Sequence, residues 1–296
     1  MQVSQLFIYP VKSLRGIAVE KAELTSLGLK YDRHWMIIDD KNKFVTMRKH
    51  PKMTLIKTQL TPSHLVLSVD GMPDFKQPLT SSCSNEETSN PLKATIWSDE
   101  CIVFDEGGSA SEWLTQALQS KQTLRLVKMA RNNQRPQSKP ERFGNSTTQF
   151  ADACAYLLCN QASLDALNSF LLDQQHSNIP IERFRPNVVV SDNVADSVSG
   201  DSNDGAFPAF AEHVQADKIL YHNDYQLKLC DPCQRCVVPN IDIEKGVKDA
   251  QQQPYKSLVR LNPMPDNAKA AAFGQNMLLV NGAGAAINVG DVLALK

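Results

Sequence analysis

The chain has 296 residues, a formal net charge of −1 at pH 7, 42% hydrophobic residues and 21% charged residues. This composition is typical of a globular protein with a large core, in one large domain or two, and it excludes an intrinsically disordered chain. A net charge this close to zero gives no global field that would attract nucleic acid or an anionic membrane.

The first hundred positions are dominated by apolar or alternating runs of four to eight residues, separated by turn-forming segments such as 39–42 and 69–71. Runs of this length and spacing predict the strands of an antiparallel sandwich or barrel. The predicted strands are residues 3–8, 19–24, 35–38, 43–47, 53–60, 65–69, 94–97 and 102–104.

Two helices are predicted, and both are typical of packing elements. Residues 109–112 form a capping-box pattern ahead of an apolar helical face, and residues 162–172 place their leucines and Phe170 on one side. Further strands are predicted at 124–127, 156–158, 187–190, 219–221, 226–229, 277–280 and 292–295. We therefore expect a mainly β protein with a few helices (α+β) and a domain boundary near residues 105–125.

The segment 121–142 holds seven basic residues and a single acidic one, Glu141. It fits either a solvated basic loop or a loop that helps to hold an anionic ligand. Aromatic residues that could stack on bases are nearly absent from it, so we expect no nucleic-acid partner.

The chain shows neither a secretory signal nor an apolar run of about 18 residues, so we expect no membrane partner. Its seven cysteines are an odd number spread along the sequence, which fits a reducing compartment better than a disulfide framework. We expect a cytoplasmic protein.

Three of the cysteines fall within seven residues, at Cys230, Cys233 and Cys236. This spacing can direct thiolates at one place, and Arg235 beside Cys236 favours the ionised thiol. The cluster is therefore where chemistry is expected.

Spacing alone leaves several interpretations of this cluster open. An iron–sulfur cluster needs a fourth cysteine, but Asn240 occupies the position that a ferredoxin-type run would use. A structural zinc site needs a second ligand pair, which His213 and His222 do not form. A redox dithiol needs a βαβ context that is not predicted here. Buried inert cysteines, or a single soft thiolate ligand for a transition metal, remain.

The sequence around the cluster resembles the MOSC-domain molybdenum proteins, in particular the group of the mitochondrial amidoxime-reducing component and its bacterial relatives. Members of that group carry Cys-x-Arg-Cys followed six residues later by an aspartate, as in Cys233-Gln234-Arg235-Cys236 with Asp242. Other matching segments occur in the family's order along nearly the whole chain. They are residues 8–16, 28–29, 32–35, 150–152, 160–164, 183–187, 273–276 and 289–291.

The resemblance implies an N-terminal β-barrel-like domain, residues 1–120, packed with a β-barrel MOSC domain, residues 121–296, which together bind the molybdenum cofactor. In the family the last cysteine of the motif coordinates molybdenum, so Cys236 takes the metal-ligand role by position. The cofactor's phosphate and dithiolene are anionic and need fixed donors and positive charge. The residues at the family's cofactor-holding blocks are Lys12, Ser13, Arg33, Asn160, Arg185 and Asn187.

Three further residues follow from the same comparison of motifs. Asp242 is assigned a catalytic role, orienting water or a substrate nitrogen, although a turn carboxylate fits its context equally well. Arg48 is a further candidate for the cofactor pocket. His34 stands where relatives often carry an aromatic residue, and we expect it to be a packed histidine.

The implied function is that of a molybdenum-dependent oxidoreductase. It would reduce N-hydroxylated small molecules, such as hydroxylamine-type base analogues and amidoximes, by two-electron abstraction of oxygen. Two alternatives stay open: a sulfur carrier or sulfurtransferase for the molybdenum cofactor, with Cys236 as persulfide, and a non-catalytic metal-binding module.

Some bacterial relatives append a ferredoxin domain, but no cysteine follows Cys236 in this chain. No Gly-x-Gly-x-x-Gly dinucleotide fingerprint is present either. We therefore expect a separate electron donor, a ferredoxin or a flavin reductase system.

Overall fold

The computed structural model describes residues 1–80, 90–130, 133, 135–137, 139–192, 208–211 and 215–296. His213, considered above as a zinc ligand, lies outside these residues. None of the helices in the described ranges has the length and apolar character needed to cross a bilayer.

The described residues form short strands and four α-helices. The helices are α1 (Gly108–Ala117), α2 (Pro140–Phe143), α3 (Gln161–Asp173) and α4 (Tyr255–Leu261). The strands are β1 (Gln2–Ile8), β2 (Ile17–Val19), β3 (Lys21–Thr25), β4 (Gly28–Leu29), β5 (Trp35–Ile38), β6 (Lys57–Leu60), β7 (His64–Ser68), β8 (Phe75–Pro78), β9 (Leu92–Ile96), β10 (Asp99–Asp105), β11 (Arg125–Met129), β12 (Arg135–Pro136), β13 (Thr147–Thr148), β14 (Tyr156–Asn160), β15 (Val188–Ser191), β16 (Ile219–Tyr221), β17 (Gln226–Gln234), β18 (Ile241–Asp242), β19 (Val247–Lys248), β20 (Pro263–Met264), β21 (Asn267–Asn281), β22 (Ala286–Asn288) and β23 (Ala294–Leu295). The predicted mainly β fold with a few helices is confirmed.

The largest sheet has nine strands in the order β2-β1-β15-β14-β21-β17-β16-β23, with β20 paired to β21. Strands β14 and β15 run parallel, and the other neighbours are antiparallel. As a result β1 ends at the edge of the sheet at which β14, β15 and β17 begin.

Both faces of this sheet are buried, which explains the continuous apolar sequence of β15. Val188 and Val190 face one hydrophobic core, together with Leu6 of β1. Val189 faces a second core beneath α3 and α4, which also holds Phe7 of β1. The side chains alternate because successive residues of a strand point to opposite faces.

Strands from the two sides of residue 120 pair with each other in several sheets. A four-stranded sheet has the order β5-β11-β10-β9, so β11, which follows residue 120, pairs with strands that precede it. Strand β1 pairs with β15, and β3 pairs with β22. Strands from the segments 1–120 and 121–296 thus share three of the sheets.

Some local predictions were wrong. Residues 43–47 form only isolated bridges, from Lys43 to Thr95 and from Phe44 to Ile38, instead of a strand. The helix α1 begins at Gly108 with Gly107 as its N-cap, and no side chain caps it, so the predicted capping box does not form. By contrast, the predicted helix 162–172 is confirmed as α3.

Candidate functional site

A cleft lies where β1 ends and β14 and β15 begin, and the last residues of β17 also line it. It is lined by segments that follow β1 and β17, precede β5, β14 and β15, and connect β9 to β10. The structure brings seven of the residues predicted from the sequence to this cleft: Lys12, Ser13, Arg33, Arg48, Arg185, Asn187 and Cys236.

Three of these residues have a left-handed backbone. The φ angles are 71° at Ser13, 46° at Arg33 and 57° at Arg185. Residues other than glycine adopt this conformation uncommonly, and such backbone strain is concentrated at functional sites. The strained positions are fixed by backbone hydrogen bonds, from Arg33 N to the Tyr9 carbonyl at 2.8 Å and from Arg185 N to the Glu182 carbonyl at 3.0 Å.

Lys12 reaches across the cleft from the end of β1 to the segment before β14. Its ammonium donates to the Phe150 carbonyl at 2.7 Å and to Asp152 Oδ1. Burial lowers the pKa of Lys12, although Asp152 acts in the opposite sense. Although its surroundings in the cleft act against ionisation of Asp152, the charge of Lys12 and hydrogen bonds from Lys12 and Trp97 lower the pKa of the Asp152 carboxyl to about 2. The Asp152 carboxyl that pairs with Lys12 is therefore ionised at neutral pH.

Two guanidinium groups pack on the buried ring of Tyr9. The Cζ of Arg33 lies 4.4 Å from the ring centroid, and that of Arg185 lies 4.2 Å from it. Arg33 Nη1 donates to Asp32 Oδ2 at 2.6 Å, and Arg185 Nη1 donates to the Leu14 carbonyl at 2.7 Å. Burial and then repulsion by Arg33 lower the pKa of Arg185 to about 10.

The lining is strongly cationic among the described residues. It contains Lys12 and four arginines, at 33, 48, 185 and 235, against the single carboxylate of Asp152. The buried Nε atoms of Arg48 and Arg235 have no hydrogen-bond partner within the described part of the chain. Unused buried donors together with this excess of positive charge favour an anionic ligand.

The cysteine cluster lies at the end of β17, where the register with β21 shifts on both sides of Pro232. Proline has no N–H for the ladder, and such bulges often redirect side chains beside active sites. Cys233 and Cys236 reach the cleft, whereas Cys230 is only 5% exposed and is not part of the lining.

Arg235 is buried beside the cluster and contacts Cys233 directly. Its Nη1 donates to Cys233 Sγ at 3.0 Å, and its Nη2 donates to the Phe184 carbonyl at 2.7 Å. The hydrogen bond of the arginine thus goes to the first cysteine of the motif, and not to Cys236, which the sequence predicted it to support.

A metal cage made of protein side chains alone is not found in the described residues, since no group of three or more His, Cys, Asp and Glu could hold a metal ion there. A metal held by Cys236 would need its remaining ligands from elsewhere.

Two predicted site residues lie away from the cleft. The side chain of Asn160 caps α3 by accepting from Ala162 N at 3.0 Å, and it is 1% exposed. Asp242 Oδ1 accepts from the backbone N of Glu244 and of Lys245, both at 3.0 Å, in a turn. Neither side chain lines the cleft in the structure.

The side chains of two more predicted residues form hydrogen bonds within the protein. Asn187 lines the cleft, but its amide accepts from Leu157 N and donates to the Phe7 carbonyl, which ties β14 to β1. His34 is hydrogen-bonded to Gln149 Oε1 at 3.0 Å, and burial lowers its pKa to about 4, as befits a packed histidine.

Sequence reasoning did not single out several residues of the lining: Trp97, Asp152, Cys154, Phe184 and Asn276. Asp152 belongs to a recognised motif segment and could have been chosen on that ground. Trp97 and Cys154 carry no sequence signal, because their place in the cleft follows only from strand pairing.

A cationic cleft beside a Cys-x-Arg-Cys segment, in a fold of this kind, agrees with the family models that match the chain. Residues 1–121 match the MOSC N-terminal beta barrel domain, and residues 145–294 match the MOSC domain. The chain belongs to the MOSC-domain family.

Within that family its curated relatives include amidoxime-reducing components. Mitochondrial amidoxime-reducing component 1 of Mus musculus is 30% identical over 99% of this chain and 82% of its own length. The same protein of Xenopus laevis is 32% identical over 92% and 76% of the two chains, and that of Homo sapiens is 30% identical over 99% and 82%.

Proposed function

We propose that this chain binds the molybdenum cofactor in the cationic cleft and reduces N-hydroxylated small molecules. The observation that carries the proposal is the convergence, from distant segments of the chain, of five cationic side chains and Cys236 on one cleft. The relationship to proteins named as amidoxime-reducing components supports the same chemistry.

The residues present fit the cofactor. Its phosphate and dithiolene are anionic, and the unused Nε donors of Arg48 and Arg235 and the charges of Arg33 and Arg185 complement them. Cys236 would supply one soft thiolate to the metal, and the cofactor's own dithiolene would supply further sulfur. This division of ligands agrees with the lack of a protein-only metal cage in the described part of the chain.

When bound, the cofactor supplies two-electron redox chemistry at molybdenum, and the protein supplies binding and orientation. The overall reaction converts an N–OH group, two electrons and two protons into N–H and water. Asp152 remains ionised at neutral pH, with a pKa of about 2, so it acts as a hydrogen-bond acceptor and not as a proton donor. Lys12 holds it in place at the cleft.

The electrons come from a separate protein in this proposal, a ferredoxin or a flavin reductase system, and the protein acts in the cytoplasm. Purified protein should reduce an amidoxime with reduced viologen as artificial donor, and NADPH alone should not support turnover. Turnover with NADPH and no partner would contradict the assignment as an isolated catalytic subunit.

The decisive measurement is the metal and pterin content of freshly purified protein. One molybdenum per chain with pterin fluorescence is the expected result. A mass increase of one sulfur on Cys236 without molybdenum would favour the sulfur-carrier alternative, and zinc or no metal would favour the non-catalytic module.

A further inference from the structure

Trp97 is an exposed aromatic residue at the rim of the cleft. Three lining residues are exposed, Trp97, Asp152 and Gln234, whereas the others are half-buried or buried. The indole is 41% exposed, while the other two tryptophans, Trp35 and Trp113, are 0% and 9% exposed. A large apolar surface is therefore presented to whatever enters the cleft.

The indole is held in position from several sides. Trp97 lies in the turn between β9 and β10 with a φ of 55°, a strained conformation for this residue type. Its Nε1 donates to Asp152 Oδ1 at 3.1 Å. The ring of Phe44 meets it edge-on at 4.8 Å, and the Arg48 guanidinium lies 4.8 Å from its ring centroid.

Core packing does not explain a fixed tryptophan in a strained turn with two fifths of its surface exposed. The positive charge of the cleft comes from buried or half-buried residues such as Lys12, Arg185 and Arg235, which suit the anionic groups of the cofactor. The exposed rim is left for the substrate, and it offers an aromatic surface.

We infer that Trp97 is a specificity-determining residue, whose indole stacks on the planar ring of ring-bearing N-hydroxylated substrates and favours them over ringless ones. The inference rests on the proposed function. Stacking on an aromatic side chain tolerates many ring types, because every planar ring has a π face. It therefore selects a class of substrate and not a single compound.

The test compares two amidoximes, benzamidoxime and the ringless acetamidoxime, with reduced viologen as donor. In Trp97→Leu we expect the ratio of kcat/KM for benzamidoxime to that for acetamidoxime to fall about 10-fold, equivalent to about 1.4 kcal/mol. Trp97→Phe keeps a ring and should lower the ratio by no more than about 3-fold. Leu172→Ala, at a residue that is 56% exposed outside the cleft, is the control and should leave the ratio unchanged.

An equal decrease of kcat/KM for both substrates in Trp97→Leu would overturn the inference, because it would indicate a structural role for Trp97. Reduced molybdenum content in Trp97→Leu and Trp97→Phe would also overturn it, in favour of a contact with the cofactor.

A binding measurement separates this inference from the proposed function. Without reductant, benzamidoxime should quench tryptophan fluorescence in a saturable manner, since the other two indoles are buried. Acetamidoxime should not quench it, and Trp97→Leu should abolish the effect. If the wild-type protein reduces neither amidoxime, the proposed function fails; absence of quenching by benzamidoxime in wild type refutes the role of Trp97 itself.

Discussion

Replacing Arg185 by methionine removes a buried guanidinium while keeping most of the side-chain length. The hydrogen bond to the Leu14 carbonyl, 2.7 Å long, is lost, which costs about 1.5 to 3 kcal/mol for a charged donor. The contact with the Tyr9 ring, at 4.2 Å, is lost as well, at about 0.5 to 2 kcal/mol.

The same substitution relieves an unfavourable charge. Burial, followed by the repulsion of Arg33, lowers the pKa of Arg185 from 12.5 to about 10, which corresponds to about 3 kcal/mol against the charged form. The two effects are similar in size and opposite in sign. We therefore expect the free energy of unfolding of the cofactor-free protein to change by less than about 2 kcal/mol.

Cofactor retention should respond more strongly. Loss of one charge-assisted contact to an anionic cofactor, worth about 1.5 to 3 kcal/mol, weakens binding by about 10-fold to 150-fold. The assay is molybdenum and pterin per protein after extended dialysis, alongside urea unfolding of the cofactor-free protein. Arg260→Met is the matched control, because Arg260 is exposed and lies 5.8 Å from the Phe170 ring outside the cleft. Wild-type molybdenum content in Arg185→Met would refute the role of Arg185 in holding the cofactor.

Further substitutions test three separate parts of the site. Cys236→Ser replaces a soft thiolate by a hard hydroxyl and should abolish reduction of N-hydroxylated substrates, with an unchanged circular dichroism spectrum. Cys233→Ser keeps an acceptor for Arg235 and should retain most of the activity. Equal losses of activity in the two variants would contradict the assignment of Cys236 as the metal ligand. Because the pKa of Asp152 is lowered to about 2 in the folded protein, from an ordinary 3.8, its contribution to stability is present above about pH 4 and is lost as the pH falls through 2. The difference in unfolding free energy between wild type and Asp152→Asn should therefore shrink between pH 4 and pH 2, and a constant difference would speak against the ionised carboxylate. Asn160→Ala should cost about 1 kcal/mol of stability through loss of the α3 cap and leave molybdenum content unchanged; cofactor loss at wild-type stability would place Asn160 among the cofactor contacts.

The local periodicity of apolar residues was sufficient to predict those elements whose buried face it specifies. Helix α3 was predicted to within a residue at each end, since Leu164, Leu167 and Leu171 recur at helical spacing and face the sheet. The run 43–47 has a similar apolar content but forms only isolated bridges, because strand formation also requires a neighbouring strand in register, which no local pattern specifies.

The residues of the cleft could be predicted from the sequence only through its resemblance to a family. Lys12, Arg33, Arg185 and Cys236 are separated by up to 224 positions in the sequence, and the order of strands in the nine-stranded sheet is what brings them together. Motif segments indicate which of these residues to consider. They do not reveal that Trp97, from a turn with no motif of its own, lies beside them.

The place of β1 in the sheet has a consequence for how the chain acquires its structure during synthesis. Strand β1 is the second strand from one edge of the sheet, and its partner β15 is synthesised only after some 180 further residues. The partner of β3, β22 at Ala286–Asn288, is synthesised later still. Because loop closure must precede such distant pairings, folding is slow relative to that of proteins with local contacts. During synthesis β1 therefore exposes an unpaired strand edge and apolar side chains such as Leu6 and Phe7 until β15 is made, and exposed surface of this kind is prone to aggregate.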